Sequence, residues 1–162
     1  MLSEKMLKAL NEQVNAEFYS SWYYLSMAVW AKTQNFDGTY NFMLKQAQEE
    51  EGHAIKFINY ILDMGGEVEL DEIKRPPKSF ASLKDIFAKA LEHEKYVTSL
   101  IKNLVEIAYE EKDYTTFGFL QWFLEEQVEE EATMSGILAK LEMIGESKNG
   151  LFMVDSKLGE RQ

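Results

Sequence analysis

The stretch GGEVELDEIKRPPKSFA, residues 65–81, separates two long helical patterns and determines how the helices on either side are arranged. Gly65-Gly66 ends the first pattern, and Pro76-Pro77 is incompatible with a helix interior. Fully extended, this segment reaches over roughly 50 Å at about 3.3 Å per residue. Each flanking helical pattern spans roughly 40 Å at about 1.5 Å per residue. The segment can therefore cross the whole length of a helix, so the helices before and after it are expected to run parallel.

Apolar residues recur at helical spacing in four long segments and one short one, at about residues 3–33, 37–64, 82–111, 114–144 and 147–158. Short connections join the first to the second and the third to the fourth, so each pair is expected to be antiparallel. The sequence predicts an all-α fold: a four-helix bundle over about 3–144, one long crossover between helices 2 and 3, and a short C-terminal helix. We expect residues 1–162 to form a single domain. In the crossover, Val68, Leu70 and Ile73 alternate with charges, which indicates an extended strand over the surface or against a second subunit.

Composition excludes several classes of protein. The chain has 162 residues, no cysteine and a formal net charge of −11. Without cysteine there can be no disulfide, thiolate metal site or cysteine nucleophile. The acidic charge argues against nucleic acid or an anionic membrane as partner and is compatible with cations. No apolar run is long enough for a transmembrane helix, and no signal peptide is recognisable, so a cytoplasmic location is expected.

Each of the four long helices has an apolar stripe that is broken near its midpoint by a carboxylate. In the second helix, Glu50-Glu51-Gly52-His53 places a carboxylate and an imidazole at i and i+3, on one helical face. Because helices of similar length pack with their midpoints at one level, these polar residues are expected to meet inside the bundle. They are Glu17, Glu50, His53, Glu94, Gln127 and Glu130.

Four buried carboxylates need a compensating charge, because each unpaired buried ion costs several kcal/mol. The stripes contain no lysine or arginine at that level. Two divalent cations would neutralise the four carboxylates, with His53 as a neutral nitrogen ligand. Such an oxygen-rich site suits iron or manganese better than structural zinc. For any single glutamate the alternative is a surface residue out of register with the stripe.

These polar residues lie in four segments, 15–19, 49–53, 92–95 and 127–131. Taken together, the four segments make the chain similar to the non-haem ferritins of prokaryotes. The resemblance covers essentially the whole sequence. It implies a ferritin-like fold and a pair of iron ions per subunit. The first iron would be held by Glu17, Glu50 and His53. The second would be held by Glu50, Glu94 and Glu130, with Glu50 bridging and Gln127 nearby.

The resemblance also implies a third iron site on the inner surface, formed by Glu49, Glu126 and Glu129 and shared with Glu130. The alternative for the first three is a solvated acidic face. By the same resemblance, Tyr24 and Trp122 are candidates for delivering electrons to reduced oxygen species. The alternative for each is core packing, which we favour for Trp122. His93 adjoins Glu94 but points to another face, so it is expected at the surface.

The sequence departs from the doubled di-iron pattern in one respect. Only the second helix carries Glu-x-x-His, whereas the fourth carries Gln127-x-x-Glu130. Loss of one imidazole weakens retention of the second iron, which fits a site that oxidises iron and passes it on. Gly52 stands where a haem-ligating methionine would precede the histidine, so no haem is expected.

By resemblance, the chain is expected to be a ferroxidase that stores iron. Iron(II) binds, O2 or peroxide oxidises it, and iron(III) mineralises inside the protein shell. The shell is expected to contain 24 subunits, with residues 151–158 near a symmetry axis. The alternatives are a soluble di-iron oxidase or peroxidase without a storage role, and a structural bundle that binds no iron. A mini-ferritin that protects DNA fits less well, because its metal site lies between subunits.

Overall fold

The structure is a computed structural model that describes all residues from Met1 to Gln162. It contains five helices and no strand: α1 (Glu4–Thr33), α2 (Asp37–Asp63), α3 (Leu83–Glu110), α4 (Tyr114–Ile144) and α5 (Lys148–Leu158). The predicted all-α fold with a short final helix is confirmed, and each helix boundary lies within about a residue or two of its expected position, the usual uncertainty of such boundaries. None of the helices is both long and apolar enough to pass through a lipid bilayer.

Local sequence signals begin and end these helices. Ser3, Ser82, Asp113 and Ser147 each occupy an N-cap position and accept a hydrogen bond from the backbone N–H three residues later. These bonds satisfy amides that have no partner within the helix. Gly145 follows α4 with φ of 57°, a left-handed conformation that favours glycine.

The N-terminus of α2 is capped from a distant part of the chain. Its N-cap residue, Phe36, offers no side-chain hydrogen bond. Asp155 of α5 supplies the acceptor instead, taking hydrogen bonds from Thr39 N at 2.7 Å, Thr39 Oγ1 at 2.8 Å and Gly38 N at 3.2 Å. The Gly38 backbone lies directly against the α5 backbone. This contact fixes α5 against the bundle.

The crossover follows α1 and leaves α2 and α3 parallel, as the length of the segment predicts. Asn11 donates to Glu67 O and accepts from Glu69 N, and Asn15 donates to Glu72 O. The crossover pairs with no other strand of this chain, and the expectation that it could lie against a second subunit stays a prediction.

A polar layer divides the bundle core into two parts. One apolar cluster is built around Tyr24, Phe87 and Met134, and the other around Phe57 and Ile101. The layer between them holds nine buried polar residues: Gln13, Glu17, Ser20, Gln46, Glu50, His53, Glu94, Gln127 and Glu130.

Candidate metal centre

The six polar residues predicted to meet at mid-height are all buried in the structure. Two groups of carboxylate and imidazole side chains have ligand atoms within 4.8 Å of one another. The first group is Glu17, Glu50 and His53, and the second is Glu50, Glu94 and Glu130. Because Glu50 belongs to both groups, the arrangement provides two adjoining cation positions with one shared carboxylate.

Glu17 has a buried carboxylate oxygen that no protein group donates to. Its Oε1 accepts a hydrogen bond from Gln13 Nε2 at 3.0 Å, but its buried Oε2 has no hydrogen-bond partner. His53 Nδ1 lies 3.8 Å from that Oε2 and 3.2 Å from Glu50 Oε2. A buried carboxylate oxygen without a donor is costly. A cation bound between these three side chains would remove that cost, so the donor set fits a metal ion.

Amide side chains hold the carboxylates of the second group. Gln46 Nε2 donates to Glu50 Oε1 at 3.0 Å and to Glu130 Oε2 at 2.8 Å. Gln127 Nε2 donates to Glu94 Oε2 at 3.0 Å. Each of these bonds fixes the direction of a carboxylate and leaves its other lone pairs available to a metal. Gln127 thus acts through Glu94 in this structure, and its role as a direct ligand stays a prediction.

Burial and mutual repulsion alter the acidity of the cluster. Burial, then the charge of Glu50, raises the pKa of Glu17 and of Glu94, and the same two causes raise the pKa of Glu130 to about 7. Burial opposes ionisation of Glu50, but the hydrogen bond and charge of His53 outweigh it and lower its pKa. These shifts favour the protonated form of Glu17, Glu94 and Glu130, and a bound cation would favour the ionised form instead.

The residues predicted for a third iron line a neighbouring cleft. Glu49, Glu126 and Glu129 lie with Glu130 around a cavity of about 570 Å³ between α2 and α4. Their carboxylates do not converge as those of the two main groups do. Lys56 and Arg161 also line this cleft, and Arg161 forms an ion pair with Glu49 at 3.0 Å. The third site stays a prediction, and any iron there has to compete with resident cations.

Two aromatic residues border the centre in different ways. Tyr24 is fully buried, and its hydroxyl donates to Glu94 Oε1. Trp122 is 37% exposed and packs edge-to-face on His53, with ring centroids 5.4 Å apart. Lys56 Nζ lies 3.2 Å from the centroid of the Trp122 ring. Tyr24 is therefore hydrogen-bonded to a candidate ligand, whereas Trp122 forms part of the cleft wall.

The expectation that His93 lies at the surface is wrong. The residue is half-buried between α1 and α3, with Nε2 2.7 Å from Ser20 Oγ and its ring stacked on Tyr23 at 5.2 Å. The step from Glu94 does turn His93 onto another helical face, but α1 packs against that face. Burial lowers the pKa of His93, although Glu50 opposes this.

Sequence reasoning gave no role to Gln13 or Gln46. Each lies four residues before a candidate ligand, Glu17 or Glu50, and donates to it along the same helical face. The repeated Gln-x-x-x-Glu spacing was visible in the sequence and indicates this support. Arg161 lies outside the four long helices, and nothing in its local sequence indicates contact with the site.

Comparison with known proteins agrees with the geometry. The family model described as Ferritin-like domain matches residues 7–144. A bacterial non-heme ferritin of Campylobacter jejuni is 46% identical, with 96% of this chain and 93% of that protein aligned. A bacterial non-heme ferritin of Bacteroides fragilis is 44% identical over 99% and 100% of the two chains. The open pore ferritin of the archaeon Archaeoglobus fulgidus superimposes with a TM-score of 0.99 at 45% identity, and both chains are covered completely.

Three findings agree: a four-helix bundle whose crossover joins parallel helices, a pair of adjoining carboxylate sites, and matches to ferritins over nearly the full length of the chain. The chain belongs to the non-haem ferritins of the ferritin-like family, whose members store iron.

Proposed function

We propose that this chain oxidises iron(II) at the paired site and delivers iron(III) for storage as a mineral. The observation that supports it most directly is Glu50, which belongs to both converging groups and so offers a bridge between two irons. The buried, unpartnered Oε2 of Glu17 adds a vacant acceptor at the first position. The proposed ligands are Glu17, Glu50, His53, Glu94 and Glu130, with Gln127 beside the second iron.

Charge balance explains why such a site would bind iron(II) and then release the product. Four carboxylates offset the four positive charges of two iron(II) ions. Each iron loses one electron, and the pair of electrons with two protons converts O2 to H2O2, or H2O2 to two waters. The two protons come from solvent or from Glu17, Glu94 and Glu130, whose pKa values are raised. After oxidation, the two iron(III) ions repel each other more strongly than two iron(II) ions do, and this repulsion favours movement of iron towards the acidic cleft lined by Glu49.

The single imidazole makes the two positions unequal. His53 adds a nitrogen ligand at the first position, whereas the second has carboxylates alone, supported by Gln46 and Gln127. We infer that the second iron is held more weakly. The phenol of Tyr24, which bonds to Glu94, is placed to supply an electron to the second position.

Storage requires a cavity larger than one bundle can enclose, so the proposal includes a homo-oligomeric shell of 24 subunits, as the ferritin neighbours suggest. Large apolar side chains remain exposed on the single chain, among them Trp22, Leu62, Leu70, Phe152 and Met153. Exposed apolar residues that lie together mark contact surfaces between proteins. We place the α5 residues 151–158 near a symmetry axis. Twenty-four chains of 18.8 kDa give a particle of about 450 kDa, which size exclusion separates from a small soluble oxidase.

Substitution of the bridging and imidazole ligands tests the oxidation step. Glu50→Ala and His53→Ala are expected to slow aerobic iron(II) oxidation by at least about tenfold, since loss of even outer-shell support at metal sites has effects of that size. Glu51→Ala is the matched control, because Glu51 adjoins Glu50 but is exposed. The shell should still form in all three variants. Wild-type oxidation rates in both ligand variants would contradict the proposal.

Binding without turnover tests the site itself. Titration of the metal-free shell with iron(II) under argon should show two tight equivalents per chain, and a third, weaker equivalent if the cleft also binds. Aerobic loading of the size-separated particle, followed by mass measurement, then tests storage. A stoichiometry near zero would show that the carboxylate layer is structural only.

A further inference from the structure

Arg161 reaches back from the segment after α5 into the cleft beside the candidate metal centre. Its side chain is only 20% exposed. Nη2 contacts Glu49 Oε2 at 3.0 Å, while Nη1 donates to Gln46 Oε1 at 2.9 Å and to Phe42 O at 3.2 Å. The guanidinium carbon also lies 4.3 Å from the centroid of the Phe42 ring. The planar guanidinium makes these contacts at once, which a lysine cannot do.

The backbone around Arg161 is held in place as well. Asn41 Nδ2 donates to Gly159 O and to Arg161 O, each at 3.2 Å. Asp155 anchors the preceding helix to the N-terminus of α2. The hydrogen bonds to its backbone therefore hold Arg161 over the cleft.

Arg161 determines which end of the Gln46 amide faces the ligands. Because the guanidinium donates to Oε1 of Gln46, the amide nitrogen must face inward, where it donates to Glu50 and Glu130. The opposite orientation would place an amide oxygen against two carboxylates. Arg161 thus acts on the shared and second positions of the metal centre through one intervening side chain.

Arg161 also places a positive charge against one of the acidic residues of the cleft. Glu49, its partner in the ion pair, is one of the carboxylates predicted to hold a third iron. A metal ion that binds Glu49 has to displace the guanidinium or share the carboxylate with it. The guanidinium is therefore a competitor built into the cleft, next to the route by which iron would leave the paired site.

We propose that Arg161 is a positioning residue for the paired site, acting through Gln46, and a resident counter-charge that keeps iron from Glu49 until the side chain is displaced. This inference rests on the proposed function. It assigns to the segment after α5 control over the passage of iron from the paired site into the cleft.

The test is calorimetric titration of the assembled, metal-free protein with iron(II) under argon, comparing wild type with Arg161→Gln and Arg161→Lys. In Arg161→Gln, the third equivalent is expected to bind at least about tenfold more tightly, a change of about 1.4 kcal/mol. Arg161→Lys retains the charge, so its third equivalent should stay close to that of the wild type. Lys157→Gln is the matched control, since it removes an exposed positive charge from the last turn of α5, close to Arg161 in the sequence.

A spectroscopic probe separates positioning from charge. Both Arg161 variants lose the fork that orients Gln46, so both should change the visible absorption of Co(II) bound at the paired site, whereas Lys157→Gln should not. Equal third-equivalent affinities in wild type, Arg161→Gln and Lys157→Gln, or Co(II) spectra identical in all variants, would overturn the inference. Failure of the proposed function is distinguishable, because the first two equivalents of iron would then be missing from the wild type itself.

Discussion

Replacing one candidate ligand should stabilise the metal-free protein, in contrast to most substitutions of buried residues. Glu130 is 7% exposed, and burial with the charge of Glu50 raises its pKa from an ordinary value of 4.5 to about 7. A group whose folded pKa is raised contributes stability that is fully present below the unfolded pKa and lost as pH rises through the folded pKa. In the wild type this loss falls between about pH 4.5 and pH 8.

The size of the effect follows from the interval between the two pKa values. At about 1.4 kcal/mol per pKa unit, the interval from 4.5 to about 7 amounts to about 3 kcal/mol at pH 8. Glu130→Gln is neutral at every pH, and the new amide oxygen can still accept from Gln46 Nε2. The variant should therefore melt about 6–12 °C above the wild type at pH 8, because 1 kcal/mol corresponds to about 2–4 °C in a chain of this size.

The assay is thermal unfolding of the metal-free shell, followed by circular dichroism at fixed protein concentration, at pH 4.5 and pH 8. The gain should nearly vanish at pH 4.5, where Glu130 is protonated in the folded state and about half-protonated in the unfolded state. Added iron(II) under argon should stabilise the wild type more than the variant, which lacks a ligand. Glu125→Gln is the control, since Glu125 is an exposed carboxylate of the same helix. An equal gain at both pH values, or no gain at pH 8, would refute the reasoning.

Two further substitutions test the anchor of α5 and the buried phenol. Gly38→Ala would place its Cβ 1.7 Å from Asp155 O, so the variant should lose about 1–3 kcal/mol of stability or release α5, and its melting temperature should fall. Gly136→Ala has open space around its Cβ and should instead gain about 0.5–1 kcal/mol of stability. A higher melting temperature for Gly38→Ala than for Gly136→Ala would contradict this packing. Tyr24→Phe removes the donor to Glu94 and should abolish any tyrosyl radical signal that electron paramagnetic resonance detects during aerobic iron(II) oxidation, with slower repeated turnover. Unchanged turnover with only a lower melting temperature would assign Tyr24 to packing.

The polar layer could be predicted because helix periodicity and helix length fix it together. Alternating steps of three and four residues along the sequence predict a stripe of eight residues in α3, from Leu83 to Ala108, and one of seven in α4, from Leu120 to Leu141. All of these residues are buried. The corresponding stripes of α1 and α2 are less fully buried, since Leu7, Ser21, Tyr60 and Met64 are only half-buried. Leu7, Tyr60 and Met64 lie near helix ends, where fewer neighbouring helices cover the stripe, whereas Ser21 lies mid-helix and donates to Ala47 O of α2.

Contacts between distant parts of the chain could not be predicted in this way. Asp155 caps α2 from 116 residues away, and Arg161 reaches Gln46 across 115 residues. Neither pairing leaves a periodic signal, because each depends on where α5 docks. His93 was misplaced for the same reason: its own helix directs it away from the core, and only the packing of α1 against α3 covers it.

The acidic layer separates the two apolar clusters of the core, which would otherwise form one continuous core. Three of its carboxylates have raised pKa values, so the layer destabilises the metal-free protein as pH rises. Amides of Gln13, Gln46 and Gln127 relieve part of that cost without neutralising any charge. A layer built only for stability would use apolar residues here, since these usually match or exceed buried ionic groups. The retained charge is best explained by a cation that binds, reacts and leaves. The guanidinium of Arg161, which contacts this layer through Gln46, lies on the side of the layer that faces the cleft.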